Sequence, residues 1–165
     1  TPARILDTRK TTPGLRLLEK AAVLAGGGCN HRIGLFDQVL LKENHFGFAA
    51  PRTCEEVVRA CVLGQDRPVV AEARTVAEAE AAVRGGASVV LLDNFQPGRP
   101  LREAVAAVRS AAASLGREVL TEASGGVNLQ TVRAFAECGV DRISIGALTH
   151  SAPAADLSLL VEGVS

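Results

Sequence analysis

The chain has 165 residues, of which 47% are apolar and 3% aromatic, and its formal net charge is zero. This length predicts about one domain, with a core of Ala, Val, Leu and Ile. A neutral chain argues against a nucleic-acid surface, and the lack of an 18-residue apolar span predicts no membrane partner. Four cysteines without C-x-x-C spacing argue against a zinc or redox site and favour a cytoplasmic protein.

Six short apolar runs predict the strands of a sheet. They cover residues 3–6, 38–41, 68–71, 88–92, 118–120 and 142–145. None alternates strictly between apolar and polar residues, which is typical of strands that are buried on both faces. The intervals between the runs are long enough for crossover helices, so we expect parallel pairing.

Helix signals fill the intervals. Capping boxes at 53–56 and 75–78 predict the starts of two helices, both of which end at glycine. Pro100 is expected at the first position of the next helix. Asn128 is expected to cap a further helix that stops at Gly139. The alternation of strands and helices predicts one α/β domain with a parallel sheet, either open or closed into a barrel.

Polar side chains collect directly after the predicted strands. In parallel α/β folds, ligands bind at the carboxyl ends of the strands. The segments at those ends read DTRK, KENH, EAR, DNF, TEASGG and GALTHS. The candidate residues in them are Arg9, Lys10, Lys42, Glu72, Asp93, Ser124 and His150. Because the opposite ends carry ordinary Gly, Arg and Asp, this asymmetry predicts an active site.

Glycine loops follow the last two strands, at residues 124–126 and 145–147. Such loops in many barrels form a phosphate-binding cup from backbone N–H groups, because glycine lets the backbone approach a phosphate closely. Ordinary turn chemistry explains either loop taken alone. Their places at neighbouring strand ends favour the phosphate-binding interpretation.

Two carboxylates, Glu72 and Asp93, end neighbouring predicted strands. They could bind ribose hydroxyls or Mg²⁺, which prefers oxygen ligands. Ion pairs with Arg74 or Lys42 are the alternative. The apolar run before Asp93 predicts a half-buried carboxylate that needs a partner, which favours a functional interpretation.

Cations are concentrated near the same strand ends. Arg9, Lys10, Arg32 and Lys42 supply four fixed positive charges, and His31 adds a titratable group. Clustered cations indicate an anionic ligand, and arginine forks suit carboxylates and phosphates. A lone histidine is more often structural, but the position of His31 after three glycines favours binding. The P-loop motif, a G-x-G-x-x-G motif after a strand and G-x-S-x-G are all absent from the sequence.

These motifs together resemble one family. The stretch DTRKTTPGLRLLEKAAVLAGGGCNHRIGLFDQVLLKENH resembles the signature of the quinolinate phosphoribosyltransferases, and VLLDN, EASGGV and ISIGALTHSAPAADLSL continue the resemblance in order. It covers essentially all 165 residues. It implies an incomplete TIM-like barrel of about six strands over residues 1–165. The family's N-terminal α/β sandwich domain has no counterpart in this sequence, and residues 154–163 resemble the segment that returns to it.

The resemblance also implies a reaction. Family members join quinolinate to phosphoribosyl pyrophosphate with Mg²⁺, releasing pyrophosphate and CO₂ and yielding nicotinate mononucleotide for NAD synthesis. They act as homodimers or larger homo-oligomers, in which an arginine from the partner's N-terminal domain completes each site. We therefore expect this stretch alone to bind ligand and to turn over poorly. The implied substrate-binding residues are Thr8, Arg9, Lys10, His31, Arg32, Lys42, Glu72, Asp93, Ser124, Gly125, Gly126, Gly146, Ala147 and His150.

Roles within this set follow from the same resemblance. Arg9, His31 and Arg32 are implied to hold the quinolinate carboxylates, and the two glycine loops to hold the 5′-phosphate. The implied catalytic residues are Lys10, Lys42, Glu72 and Asp93. The two lysines would lie between the substrates, and the two carboxylates would hold the ribose and Mg²⁺.

Two other functions stay open. One is a related phosphoribosyltransferase for another pyridine or azole acid, although two arginines and a histidine favour a dicarboxylate. The other is a ligand-binding or structural fragment without catalysis. Arg74 departs from the family pattern, which usually has an acid at that position.

Overall fold

A computed structural model describes residues 1–163, so the last two residues of the predicted 1–165 domain lie outside the described part. The strands are β1 Arg4–Leu6, β2 Val39–Leu41, β3 Val69–Ala73, β4 Val89–Asp93, β5 Leu120–Ser124 and β6 Arg142–Ser144. The helices are α1 Arg16–Ala25, α2 Glu43–Phe48, α3 Cys54–Leu63, α4 Val76–Gly85, α5 Arg99–Ser114, α6 Val132–Ala136 and α7 Ala147–His150.

All six strands form one parallel sheet in the order β1-β6-β5-β4-β3-β2. The first two strands of the chain are therefore the two edges of the sheet. Beside the β1 edge, Cys29 makes a parallel bridge with Leu6. The predicted α/β fold is confirmed, and the open edges make it an incomplete barrel.

Apolar side chains pack on both faces of the sheet. The larger cluster joins the outer face to the helices and includes the fully buried Val58, Leu92 and Leu101. The smaller cluster contains Val70 and Leu91 and fills the inner face. This inner packing leaves the carboxyl ends of the strands to polar residues.

Strand β5 runs from Leu120 to Ser124, so the prediction of 118–120 was wrong. Two polar residues, Thr121 and Glu122, lie within this strand. They interrupt its apolar run, so the sequence predicted a loop at these positions. The backbone N–H and hydroxyl of Thr121 donate to Asp141 Oδ2 at 2.8 and 2.7 Å. Because these bonds satisfy its polar atoms, Thr121 can be buried within the sheet.

The capping box at residues 53–56 is confirmed, with Glu56 N donating to Thr53 Oγ1 at 3.3 Å and Thr53 N donating to Glu56 Oε2 at 2.7 Å. The second box is only half formed. Glu78 N donates to Thr75 Oγ1 at 3.2 Å, but Glu78 Oε2 accepts from Arg74 N instead of Thr75 N. The box predicted at 75–78 was therefore wrong in one of its two bonds.

Two further helix starts differ by a few residues from the prediction. Pro100 is the second residue of α5, since the helix begins at Arg99. Asn128 caps a separate turn: its Oδ1 accepts from the backbone N–H groups of Gln130 and Thr131, each at 3.0 Å. The turn delays the start of α6 to Val132.

No helix in residues 1–163 is long and apolar enough to cross a membrane. Residues 152–163, after α7, carry neither helix nor strand and are exposed. All four cysteines are free thiols.

Candidate active site

A pocket of about 560 Å³ lies at the carboxyl ends of the strands. Every predicted substrate-binding residue except Glu72 lines it. Five residues that were not predicted contribute as well: Leu40, Leu91, Asn94, Val127 and Ser144. The fold thus brings segments from both ends of the chain to one place, while the roles of the individual residues stay predictions.

Two guanidinium groups meet at the β1 side of the pocket. Nε and Nη1 of Arg9 are buried and have no hydrogen-bond partner among residues 1–163. Arg32 Nη1 donates to Gln38 O at 3.3 Å. Burial and the positive charge of Arg9 lower the pKa of Arg32, and Asp37 opposes them. A pocket that holds two neighbouring cations, one of them with unpartnered N–H groups, is suited to an anionic ligand.

The loop that carries His31 and Arg32 is held by a buried ion pair. Asp7 is fully buried, and its Oδ1 accepts from Lys20 Nζ and from His31 N, both at 2.7 Å. Lys20 Nζ also donates to His31 O at 3.2 Å. With its amide turned so that nitrogen is the donor, Asn30 adds a 2.8 Å bond to Asp7 Oδ2. This pair was missed because Lys20 does not follow an apolar run.

The three glycines before this loop have a packing function at one position. A Cβ at Gly28 would lie 2.8 Å from Val23 Cγ1 and 3.2 Å from Val23 O. The backbone therefore runs directly against α1 on its way to the pocket. A side chain at position 28 would push the His31 loop outward.

The His31 side chain extends from its loop toward strand β5. Its Nδ1 accepts from Arg32 N at 2.8 Å, and its Nε2 lies 3.2 Å from Glu122 Oε1. Glu122 is fully buried, and neither of its oxygens accepts a well-aligned hydrogen bond within residues 1–163. We did not single out Glu122 in the sequence, since it was assigned to the loop after β5.

Glu72 turns away from the pocket. Its Oε2 lies 3.0 Å from Nζ of the half-exposed Lys42, and its side chain lines a neighbouring cleft of about 250 Å³ with Glu43 and Arg74. Burial raises the pKa of Glu72, as do the carboxyl group of Glu43 and the charge of Asp93, against the attraction of Lys42. The geometry is therefore that of the ion pair that the sequence left as the alternative.

A tight backbone contact builds the far side of the pocket. Asn94 N donates to Ser124 O at 3.0 Å, and Asn94 Nδ2 donates to Asp93 Oδ2 at 2.7 Å. Gly125 and Gly126 have φ angles of 100° and 62°, which favour glycine. A Cβ at Gly125 would overlap the Asn94 side chain and lie 3.0 Å from Asn94 N. Bare backbone is therefore required here.

The β6 loop continues this wall. A Cβ at Gly146 would lie 2.7 Å from His150 Nε2, so glycine lets the ring fold over the loop. The hydroxyls of Thr8 and Thr149 are 2.8 Å apart and join the β1 loop to α7. Thr8 Oγ1 also accepts from Lys10 N at 3.1 Å. The loop after β1 is therefore hydrogen-bonded to α7, beside the loop after β6.

The carboxylates offer limited support for a metal site. Within the described chain, no group of three or more His, Cys, Asp or Glu side chains is arranged to hold a metal ion. Asp93 lines the pocket, whereas Glu72 is paired with Lys42 outside it. Magnesium commonly binds through one or two carboxylates together with substrate phosphates. Asp93 fits that pattern, and Glu72 in this arrangement does not.

The fold and pocket define an incomplete α/β barrel whose pocket, at the carboxyl ends of the strands, is lined by cationic side chains and glycine backbone. The family model described as quinolinate phosphoribosyl transferase, C-terminal domain, matches residues 1–160. The chain belongs to this family.

Named relatives agree with that assignment. The chain is 40% identical over 161 residues to the probable nicotinate-nucleotide pyrophosphorylase [carboxylating] of Bacillus subtilis (strain 168), covering 94% of this chain and 51% of the relative. It is 43% identical to the chloroplastic enzyme of that name from Oryza sativa subsp. japonica, covering 98% and 46%. The solved nicotinate-nucleotide pyrophosphorylase from Francisella tularensis is 40% identical, with a TM-score of 0.81 and coverage of 95% and 52%. The chain thus spans about half the length of these relatives.

Proposed function

We propose that this chain carries the barrel of a quinolinate phosphoribosyltransferase. The reaction would transfer the phosphoribosyl group of phosphoribosyl pyrophosphate to quinolinate, with loss of CO₂ and pyrophosphate, and form nicotinate mononucleotide for NAD synthesis. The observation that carries the proposal is the pocket, which is lined by the guanidiniums of Arg9 and Arg32 on one side and by glycine backbone on the other, and in which two nitrogens of Arg9 have no partner. The names of the relatives at 40–43% identity support the same reaction.

The guanidinium side suits the dicarboxylate. Burial, followed by the charge of Arg9, lowers the pKa of Arg32, and a bound carboxylate would offset both effects. Each planar fork can donate two parallel hydrogen bonds to a carboxylate. A substrate with two carboxylates therefore gains more here than nicotinate, which has one.

The glycine side suits the 5′-phosphate. Gly125 and Gly146 line the pocket at positions where a Cβ would collide with Asn94 and His150, respectively. Backbone N–H groups in such loops bind phosphate oxygens closely. The ribose would then lie between the two walls, near the carboxylate of Asp93.

The chemistry needs position and charge more than a protein nucleophile. The pyridine nitrogen forms a bond to the anomeric carbon while the bond from that carbon to pyrophosphate breaks, and a proton later replaces the departing CO₂. Positive charge develops on the ribose, where Asp93 stabilises it, and Lys10 and Lys42 attract the leaving phosphates. A magnesium ion, held by Asp93 and the pyrophosphate, would supply further charge neutralisation.

Two wider predictions accompany this function. A homodimer or larger homo-oligomer is proposed from the family resemblance, with the partner completing each site. A cytoplasmic location is proposed from the four free thiols, which suit a reducing compartment. Sedimentation and cell fractionation of the protein at its natural length would test them.

Ligand binding tests the substrate assignment directly. Calorimetry on the protein at its natural length should show quinolinate binding more tightly than nicotinate, and phosphoribosyl pyrophosphate binding as well. Asp93→Asn should lower turnover while quinolinate affinity stays near normal. Equal affinity for the two pyridine acids would favour another substrate, and unchanged turnover would remove Asp93 from the mechanism.

A further inference from the structure

One side chain joins the two loops that carry the pocket arginines. Arg16 is the first residue of α1, and its guanidinium donates three hydrogen bonds. Nε donates to Thr11 Oγ1 at 3.1 Å, Nη2 to Arg9 O at 3.3 Å and Nη1 to Ile33 O at 3.2 Å. The first two acceptors are in the loop after β1, and the third is next to Arg32 in the loop before β2. Arg16 therefore bridges the backbone segments that carry Arg9 and Arg32.

Arg16 stands at a position where a helix does not favour a cation. The N-terminal turn of a helix carries partial positive charge, which favours acidic side chains there. Glu19 in the same turn follows that rule, and its Oε1 accepts from Thr12 N at 3.0 Å. Arg16 instead directs its charge to three neutral oxygens. The bonds to the two loops are therefore the contacts that account for an arginine at the start of α1.

Lys20 repeats this arrangement one turn further along α1. Its Nζ donates to Asp7 Oδ1 at 2.7 Å and to His31 O at 3.2 Å, so it also joins the end of β1 to the loop before β2. Residues four apart lie on the same face of a helix. The loop carbonyls that Arg16 and Lys20 bind belong to the residues on either side of Arg32. One face of α1 thus fixes the backbone before and after that arginine.

The spacing of the two pocket arginines needs such a constraint. Burial is the largest cause of the lowered pKa of Arg32, and the charge of Arg9 is the next. The second cause is a repulsion between two cations, which would spread their loops apart. Asp37 accepts from Ile33 N at 2.7 Å, but this bond lies within one loop. The bonds of Arg16 span both loops and oppose the repulsion.

We propose that Arg16 is a positioning residue that sets the separation of the Arg9 and Arg32 guanidiniums, and with it the preference of the pocket for a ligand with two carboxylates. A monocarboxylate needs one guanidinium, so it tolerates a change of separation. A dicarboxylate carries its two charges at a fixed distance and gains both contacts only when the guanidiniums match it. This inference rests on the proposed function, and it leaves the predicted contact of His31 with the substrate unchanged.

Arg16→Lys separates geometry from charge. Lysine keeps the positive charge, but its ammonium lacks the planar fork that spans the two loops. Calorimetry on the protein at its natural length should show quinolinate binding weakened about tenfold, which is the effect of one or two lost hydrogen bonds. Nicotinate and phosphoribosyl pyrophosphate should bind nearly as in the wild type, so the preference for the dicarboxylate falls. Arg99→Lys makes the same exchange at an exposed position of α5 and is the control.

Two results of this titration would overturn the proposal. Unchanged quinolinate binding in Arg16→Lys would show that the three-bond bridge has no part in substrate binding. Equal weakening for quinolinate, nicotinate and phosphoribosyl pyrophosphate would show a general loss of structure and not a change of spacing.

Amide hydrogen exchange tests the bridge without any ligand. In Arg16→Lys, exchange at residues 31–34 should be about tenfold faster than in the wild type, because this loop loses its bond to the start of α1. Strands β3 and β4 should keep their protection. Equal exchange in the two proteins, or faster exchange throughout the sheet, would contradict the positioning role.

The two proposals can fail separately. If quinolinate does not bind to the wild-type protein, the proposed function fails, and the exchange at residues 31–34 still decides whether Arg16 fixes the loop. If quinolinate binds and Arg16→Lys changes neither the exchange nor the preference for quinolinate over nicotinate, only the positioning role fails.

Discussion

The two sides of the pocket are built from different materials. The β1–β2 side presents charged side chains on long loops, and buried groups such as Asp7 and Lys20 hold those loops in place. The β5–β6 side presents backbone, shaped by positive φ angles and by the close approach of Gly125 to Asn94. On the β1–β2 side, removal of a charged group should therefore impair stability or ligand binding. On the β5–β6 side, the addition of a Cβ at a glycine should do so.

This difference also separates the supports from the groups that bind. On the charged side, a binding residue such as Arg32 depends on a support such as Asp7 several residues away. On the backbone side, the same residues supply both shape and binding groups. Substitutions can therefore separate stability from binding on the first side, and will change both together on the second.

The largest expected effect comes from the buried pair beneath the charged side. Asp7→Ala leaves the ammonium of Lys20 buried without its partner and frees the backbone at His31, so we expect a loss of about 3–5 kcal/mol in the free energy of unfolding. Urea denaturation would measure it. The double variant Asp7→Ala/Lys20→Met should recover part of the loss, because no unpaired charge remains. A loss below about 1 kcal/mol would show that water satisfies the pair.

Binding, by contrast, should depend on Arg32. Arg32→Ala should weaken quinolinate binding by about 2–5 kcal/mol, as expected when one partner of a buried charge pair is lost. The unfolding free energy should change little, because the unfavourable burial of the guanidinium and its repulsion from Arg9 both disappear with the charge. Calorimetry with both substrates checks this, and Arg99→Ala, far more exposed beside Glu103, is the control. Equal weakening for both substrates would indicate a collapsed pocket.

Much of this arrangement could be predicted from the sequence, because its signals are local. Buried parallel strands give short apolar runs, and five of the six predicted runs lie within a residue or two of the observed strands. Glycines at 125, 126 and 146 are visible as motifs, and the charged residues follow the strand ends. Each of these signals is contained in a few consecutive residues, so periodicity and motif spacing suffice to find it.

The supports could not be predicted, because they join distant segments. Arg16 bridges the loops after β1 and before β2 only once the fold has placed both beside α1. Lys20 has no motif around it, and its burial depends on Asp7 being turned toward α1. Glu72 was placed in the pocket since it follows a strand, but the sequence does not say which way its side chain turns.

On the backbone side, one added carbon should damage the structure. Gly125→Ala combines a positive φ with a collision at Asn94, and we expect a loss of about 2–4 kcal/mol in unfolding free energy, with weaker binding of phosphoribosyl pyrophosphate. Gly126→Ala is the matched control, since a Cβ there meets nothing within 4 Å. It should cost about 1 kcal/mol, from its φ alone. Similar losses for the two variants would show that the Asn94 contact has no energetic weight.

The smallest expected change in stability comes from substitution of Glu72, whose carboxylate is paired with Lys42 outside the pocket. Burial raises its pKa, followed by the carboxyl group of Glu43, while Lys42 opposes the shift. An acid with a raised pKa binds its proton more firmly in the folded state. The resulting stabilisation is complete below the ordinary value of 4.5 and is lost as the pH rises through the raised value.

Glu72→Gln should remove this pH dependence, because the amide resembles the protonated acid and can still donate to Glu43. Urea denaturation between acidic and neutral pH should therefore show the variant gaining stability relative to wild type as the pH rises. Glu118→Gln, at an exposed position away from Lys42 and Glu43, makes the same chemical change and is the control. The lost partner of Lys42 adds little, since that lysine is half exposed. A difference that falls with rising pH would mean that the attraction of Lys42 outweighs burial, and that the charged side favours Glu72 in its ionised form.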